Sequence, residues 1–213
     1  MKNLRDLEIN DLKKLLEEMG EKPFRAKQIY TWLHQNLVEH FDEMTNISKG
    51  LCDRLSAEYS VALPETVEVL TSKIDGTKKY IFRMQDGHVI ESVWMEYQHG
   101  HSVCISSQVG CRMGCKFCAS TLDGLARNLT SGEMLGQIYQ IQRTTGARVD
   151  NIVIMGSGEP LDNYDEFTRF IRMISDENGL HISRRNITIS TCGLVPKIRQ
   201  LADENYGITL ALS

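Results

Sequence analysis

Cys111, Cys115 and Cys118 form a Cys-x3-Cys-x2-Cys array within VCISSQVGCRMGCKFCAST, residues 103–121. This array constrains the chain more than any other feature. A fold that contains it must bring three thiols to one centre, and Gly110 and Gly114 supply the tight backbone for doing so. Two kinds of centre use such spacing. A structural zinc site is closed by four protein ligands, and Cys104, His99 and His101 are the neighbouring candidates for the fourth. An iron-sulfur cluster prefers all-thiolate ligation and can leave one iron open to an external ligand, which suits three cysteines with no obvious fourth. Three small buried cysteines are the remaining reading, but Arg112 and Lys116 make an odd core segment of that run.

Composition restricts the setting. A chain of 213 residues that is 41% hydrophobic has material for one core, or for one domain with a small appendage. No run of eighteen apolar residues occurs, and the charged start MKNLRDLEINDLKK lacks a signal-peptide core, so a soluble, cytoplasmic protein is expected. In a reducing compartment the six cysteines are ligands or reactive thiols before they are a disulfide framework. The net charge of -4 gives no support to a nucleic-acid partner. Local basic groups do occur, at Arg25 and Lys27, at Lys73, Lys78, Lys79 and Arg83, and at Arg184 and Arg185.

The periodicity changes twice along the chain. Leu12, Leu15, Leu16 and Met19 predict a helix from about Asn10 that stops at Gly20, and Pro23 opens a second with Phe24, Ala26, Ile29, Tyr30 and Leu33 on one stripe. A third helix is expected over 48–59. Residues 1–62 thus read as a helical module, in which Tyr30 and Trp32 are core aromatics. From Thr66 the pattern alternates: TVEVLTSKI, TKKYIFRM, HVIESVWMEY and HSVCIS are separated by turn signals at Asp75-Gly76, Asp86-Gly87 and His99-Gly100. A β meander over 63–96 is expected to lead into the cysteine loop. Glu91 interrupts an apolar strand and shares a face with Val89, Val93 and Met95. Buried there, a carboxylate needs a partner or a raised pKa, which suits a general base; an edge-strand Glu reaching solvent is the plainer alternative.

After the cysteines the order is strand, loop, helix. Thr130 and Glu133 form a capping box for a helix ending at Gly146, and 151–155 is short and apolar enough for a buried parallel strand. Another helix follows Asn163 with Glu166 three residues on. A strand over 186–191, a helix over 195–204 and a strand over 207–213 complete the pattern. Residues 97–213 are therefore expected to form an α/β core whose parallel sheet curls into a (β/α) partial barrel. The barrel is expected to be incomplete and the chain an N-terminal fragment, because such barrels take roughly 200 residues or more.

In such barrels functional residues sit at strand ends. Gly156-Ser157-Gly158-Glu159-Pro160 ends one strand: its glycines allow close backbone approach, and Glu159 can accept from an ammonium. Ser190-Thr191-Cys192-Gly193 ends the next. Cys192, like Cys52, reads as a small buried residue.

The array, followed by GSGEP, resembles the radical S-adenosylmethionine superfamily, and the wider SSQVGCxxxCxFC context is similar to its adenine-C2 RNA methyltransferases. That resemblance implies that Cys111, Cys115 and Cys118 hold a 4Fe-4S cluster whose fourth iron is chelated by S-adenosylmethionine. It implies that Gly158, Glu159, Ser190 and Ser213 face this cofactor and that Glu91, in its IES context, is the proton acceptor. Cys104 corresponds to a thiol that forms a transient disulfide with a methyl-carrying C-terminal cysteine, which is not among these residues. FRAKQIYTWL is similar to the family's N-terminal accessory domain, which helps hold RNA. The implied partners are 23S rRNA, tRNA and an external electron donor such as flavodoxin or ferredoxin, with the protein a monomer. The chemistry fits the substrate: adenine C2 is an electrophilic carbon that resists polar methyl transfer, whereas a carbon radical can add to it. A sister family that methylates adenine C8 shares the cysteine motif. A zinc-stabilised RNA-binding module without catalysis, or a fragment without activity, are the other readings.

Overall fold

The computed structural model describes residues 1–98 and 100–213. Its helices form where the apolar spacing demands them. Helix α1 (Ile9–Glu18) buries Leu12 and Leu16 and ends at Met19, after which Gly20 takes a φ of 77°. Helix α2 (Phe24–His34) buries Ala26, Ile29, Tyr30 and Leu33, and α3 (Lys49–Glu58) buries Leu51, Cys52 and Leu55. Tyr30 is fully buried, while Trp32 is partly buried and donates its indole N–H to Asn46 Oδ1 at 2.6 Å. Two short parallel strands, β1 (Lys2–Asn3) and β2 (Tyr59–Ser60), tie the two ends of this module together.

Arg5 follows β1 and is completely buried, with its guanidinium donating to the carbonyls of Val61 and Val38. Desolvation lowers its pKa to about 10, so the group is still charged at neutral pH and needs those carbonyls. The module meets the rest of the chain at several points, among them Asp6 with Gly132 N and Leu37 O with Arg143, and His34 Nδ1 lies 2.8 Å from the Tyr139 hydroxyl of helix α4 (Ser131–Thr145).

The remaining strands form one mixed sheet. It contains β3 (Glu65–Thr71), β4 (Lys78–Arg83), β5 (Val89–Tyr97), β6 (Gly100–Ile105), β9 (Asn151–Ile154), β10 (Ile187–Thr191) and β11 (Thr209–Leu212), in the order β11-β10-β9-β6-β5-β4-β3. β3 to β6 are antiparallel, and β6, β9, β10 and β11 are parallel. The meander is therefore continuous with the α/β core, in one sheet. A small ladder of β7 (Gln108–Gly110) and β8 (Leu125–Asn128) closes the base of the cysteine loop. Helices α4, α5 (Tyr164–Ile174) and α6 (Val195–Glu204) connect the parallel strands, and each new strand joins on the same side. This is the winding of a barrel wall rather than of a doubly wound sheet.

One face of the sheet is dry. Phe82, Ile90, Trp94, Val103, Ile105, Ile152, Ile154, Ile187 and Ile189 are all buried there. Helix α4 lies over this face and reaches it through Gln137, whose Oε1 accepts from Ser92 Oγ at 2.7 Å. The opposite face carries Glu91, Val93, Cys104, Val153 and Ser190 at intermediate or full exposure. Among the described residues no helix is long and apolar enough to cross a membrane.

The helix caps follow the sequence signals, with one exception. Thr130 Oγ1 accepts from Glu133 N at 3.1 Å, Glu133 reaches back to Thr130 N at 3.0 Å, and Gly146 ends α4 in the left-handed region. Asn163 precedes α5 but does not cap it. Its amide instead donates to Ser107 O at 2.9 Å and Leu129 O at 2.8 Å, and Glu166 accepts from Ser131 N at 2.7 Å at the head of α4. Thr130→Ala removes a cap acceptor and is expected to lower stability by about 1 kcal/mol, read as a reduced midpoint in urea unfolding with an unchanged slope.

Candidate metal centre

The cysteine loop starts where β7 pairs with β8, and this base is tight. Cys111 N donates to Gly124 O at 2.9 Å, and a Cβ on Gly110, at φ 73°, would come 2.0 Å from that same oxygen. Beyond it the backbone turns at Gly114, with a φ of 72°, and Cys118 N donates to Cys115 O at 3.0 Å. Cys111, Cys115 and Cys118 line a cavity of about 150 Å³ together with Gly158, Glu159, Ser190 and Ser213. Among the described residues no three cysteine, histidine or carboxylate side chains are drawn into a closed metal cage. The thiols border a shared space that is open to a further group. Burial pushes the Cys111 thiol up from its ordinary value.

The turn after β9 faces this loop, and its glycines are needed for packing. Gly156 N donates to Ile105 O at 3.0 Å, while Ser107 N and Gln108 N donate to Ser157 O at 2.9 and 3.1 Å. A Cβ on Gly158, at φ 103°, would come 2.5 Å from Gln108 Cβ and 2.7 Å from its nitrogen. Glu159 is 4% exposed; Oε1 accepts from Leu161 N at 3.0 Å and Oε2 from Cys192 N at 2.8 Å. Ser213 N donates to Thr191 O at 3.0 Å, which brings the β11 end beside the β10 end.

A second cavity, of about 830 Å³, opens on the exposed sheet face and is lined by Lys79, Glu91, Cys104, Cys118, Met155 and Ser157 among others. One choice left open by the sequence is decided here and one expectation is corrected. Glu91 does share its face with Val93 and Met95, but its side chain is 56% exposed and pairs with Lys79 Nζ at 3.0 Å, because that face is not covered. Cys192 is exposed, not a buried core residue like Cys52, and lines the smaller cavity beside Cys111 and Cys115. Partial desolvation at the cavity wall and a hydrogen bond to Glu159 push its thiol up to about 11.

Of the zinc alternatives, His101 is turned away from the cysteine loop. His101 stacks on Trp94 with ring centroids 4.6 Å apart and contacts Arg148 O through Nδ1, at the far end of β6 from the loop. His99 lies outside the described residues. Cys104 points to the larger cavity, and burial pushes its thiol up.

Sequence reasoning missed the polar side chains that hold these pieces together. Gln137 accepts from Ser106 N at 2.9 Å and donates to Ser106 O at 3.0 Å, and Ser106 Oγ donates to Glu91 O at 2.7 Å while accepting from Ser157 N at 3.0 Å. Gln108, fully buried, accepts from Glu159 N at 2.8 Å. The polar run Ser106-Ser107-Gln108 at a strand end was the available signal.

Known proteins match this arrangement in both halves. The radical SAM superfamily profile matches residues 105–211, half of the chain, which includes the site residues from Cys111 to Ser190. The chain belongs to the radical SAM superfamily. Residues 2–61 match the N-terminal domain of ribosomal RNA large subunit methyltransferases. A probable dual-specificity RNA methyltransferase RlmN from Lachnoclostridium phytofermentans is 62% identical over 99% of this chain and 59% of its own length. Its counterpart from Lachnospira eligens is 54% identical over 100% of this chain and 61% of its own length. The crystal structure of a radical SAM methyltransferase from Sphaerobacter thermophilus superposes with a TM-score of 0.93 at 39% identity, covering 100% of this chain and 63% of that one. The chain thus spans less than two thirds of the length of these relatives. Membership in the radical SAM superfamily brings a 4Fe-4S cluster and S-adenosylmethionine as cofactors.

Gly158→Ala combines a left-handed φ with a backbone collision, and Gly124→Ala, at φ 70° with open space around it, has only the first. Gly158→Ala is expected to cost well over about 1 kcal/mol and Gly124→Ala to cost less, measured by urea unfolding of the two variants side by side.

Proposed function

We propose that the chain carries the cofactor site and part of the substrate cavity of an RNA methyltransferase acting on C2 of adenine in 23S rRNA and tRNA. One observation carries this reading: Glu91, Cys104, Cys118 and the Gly156-Ser157 turn come from separated segments yet border a single cavity. The similarity of residues 2–61 to a ribosomal RNA methyltransferase domain supports RNA as the substrate, with Arg25 and Lys27 on that module as candidate phosphate contacts.

The residues present fit the family's cofactors. Three thiols on a loop with left-handed glycines give a cluster three ligands and leave a fourth position facing the GSGEP turn. Cys111, Cys115 and Cys118 would hold the cluster, and Gly158, Glu159, Ser190 and Ser213 would hold S-adenosylmethionine. Each Glu159 oxygen accepts one backbone N–H, which leaves lone pairs for a ligand ammonium. Bound there, the pair supplies one-electron chemistry that polar groups cannot provide. Its reduction calls for an external donor such as flavodoxin or ferredoxin.

Glu91 is the proton acceptor of this proposal. It reaches the cavity without a desolvation barrier, and Lys79 at 3.0 Å orients its carboxylate. Cys104 supplies a thiol on the same wall, and its raised pKa keeps it protonated at neutral pH until a partner takes the proton.

Anaerobic reconstitution is expected to give a brown protein absorbing near 400 nm with about four irons per chain; a colourless protein with one tight zinc would overturn the reading. Glu159→Gln is expected to weaken S-adenosylmethionine binding about tenfold in titration calorimetry with iron content unchanged. In an assay for 2-methyladenosine by nucleoside mass spectrometry, Glu91→Gln is expected to lose about 100-fold or more in rate while keeping the cluster absorption and cofactor affinity of the parent.

A further inference from the structure

The cysteine loop is joined to the rest of the fold by few hydrogen bonds. Between its base at Cys111 and Gly124 the hydrogen bonds are internal: Thr121 Oγ1 donates to Cys115 O and Cys118 O, and the backbone bonds of Cys118, Thr121 and Leu122 stay within the loop. Among the described residues, one pair links the segment 112–123 by hydrogen bonds to residues outside 111–124. Arg112 donates from Nε to Asp162 Oδ2 at 2.9 Å and from Nη2 to Asp162 Oδ1 at 2.5 Å.

The two partners are not equivalent. The Arg112 side chain is 61% exposed and the Asp162 side chain 11%. Asp162 is fixed before Arg112 arrives: its backbone N–H donates to Glu159 O at 3.1 Å, and Gln108 Nε2 donates to its Oδ2 at 3.0 Å. Gln108 is itself anchored, donating to Asn128 Oδ1 at 2.8 Å and accepting from Glu159 N at 2.8 Å. Asp162 is thus a fixed, nearly buried carboxylate offered to the one loop cation that can bind it in a two-pronged way. The fork geometry fixes direction as well as distance, which a lysine ammonium would not.

We propose that Asp162 is a positioning residue that, through Arg112, clamps the cysteine loop over the Gly156–Pro160 turn and so sets how firmly the loop retains its cluster. Cys111 precedes Arg112 directly, and Glu159 lies three residues before Asp162, so the clamp joins the metal-ligand segment to the cofactor turn. The inference rests on the reading that the three cysteines bind a cluster. The clamp itself does not require a metal to be present.

The test uses the full chain with Arg112→Ala, Arg112→Lys and Asp162→Asn. In metal-free protein, amide exchange by mass spectrometry is expected to be about tenfold faster over 111–124 in Arg112→Ala and Asp162→Asn and unchanged in α4, with Arg112→Lys between these and the parent. In reconstituted protein, bleaching near 400 nm by a chelator is expected to be about fivefold faster or more in Arg112→Ala and Asp162→Asn and intermediate in Arg112→Lys. Unchanged exchange over 111–124 would overturn the clamp whatever the cluster does. Faster exchange that extends through α4 and the sheet would overturn it too, by making Asp162 a residue of the whole fold. Faster local exchange with unaltered bleaching would refute the link to cluster retention. A parent that takes up no cluster would refute the reading of the cysteines, and exchange would still decide the clamp.

Discussion

The turn after β9 lies against the backbone of residues 105–108 at hydrogen-bonding distance, and it can do so only because Gly156 and Gly158 carry no Cβ. That contact fixes where β6 ends and β7, the base of the cysteine loop, begins. It also places Glu159 where its carboxylate can accept from Cys192 N, which draws the β10 end into the same site. Three strand ends and one loop are thereby registered to each other, by backbone groups at β6 and β9 and by the buried Glu159 carboxylate at β10.

A layer of buried polar side chains reinforces this contact. Gln137 on α4 pairs with both backbone groups of Ser106, and Ser106 Oγ links the carbonyl of Glu91 to the amide of Ser157. In a low-dielectric interior each of these groups needs its partner, so the set defines one arrangement of base-bearing strand and cofactor turn. The helical module is joined in a comparable way. The buried Arg5 closes the module on itself, and the His34 and Tyr139 pair joins it to the back of the core.

Much of the fold was legible in local sequence. Helix α4 is capped by Thr130 and Gly146 because cap chemistry acts within a few residues, and strands β4 and β5 of the meander alternate because one of their faces is dry. Asn163 shows where local reasoning fails. Its position before α5 suits a cap, yet it serves the carbonyls of Ser107 and Leu129, which are distant in sequence and would otherwise be buried without partners. Cys192, read as buried, and Glu91, open between burial and solvent, turn on a related point. Their neighbours in sequence suggested burial, but exposure depends on whether a helix covers that face, and α4 lies on the other side.

By itself the sequence determined the cysteine spacing, the order of strands and helices, and the glycine-bearing strand end, since each depends on residues within one turn or one strand of each other. Only the tertiary structure decided that Glu91, Cys104 and Ser190 share a face. That result needs the pairing of Val93 with Cys104, of Cys104 with Val153 and of Val153 with Thr188, and a slip of one residue in any pair would turn a side chain to the covered face. The partnership of Arg112 with Asp162, fifty residues apart, likewise follows from the closed turn and not from either local sequence.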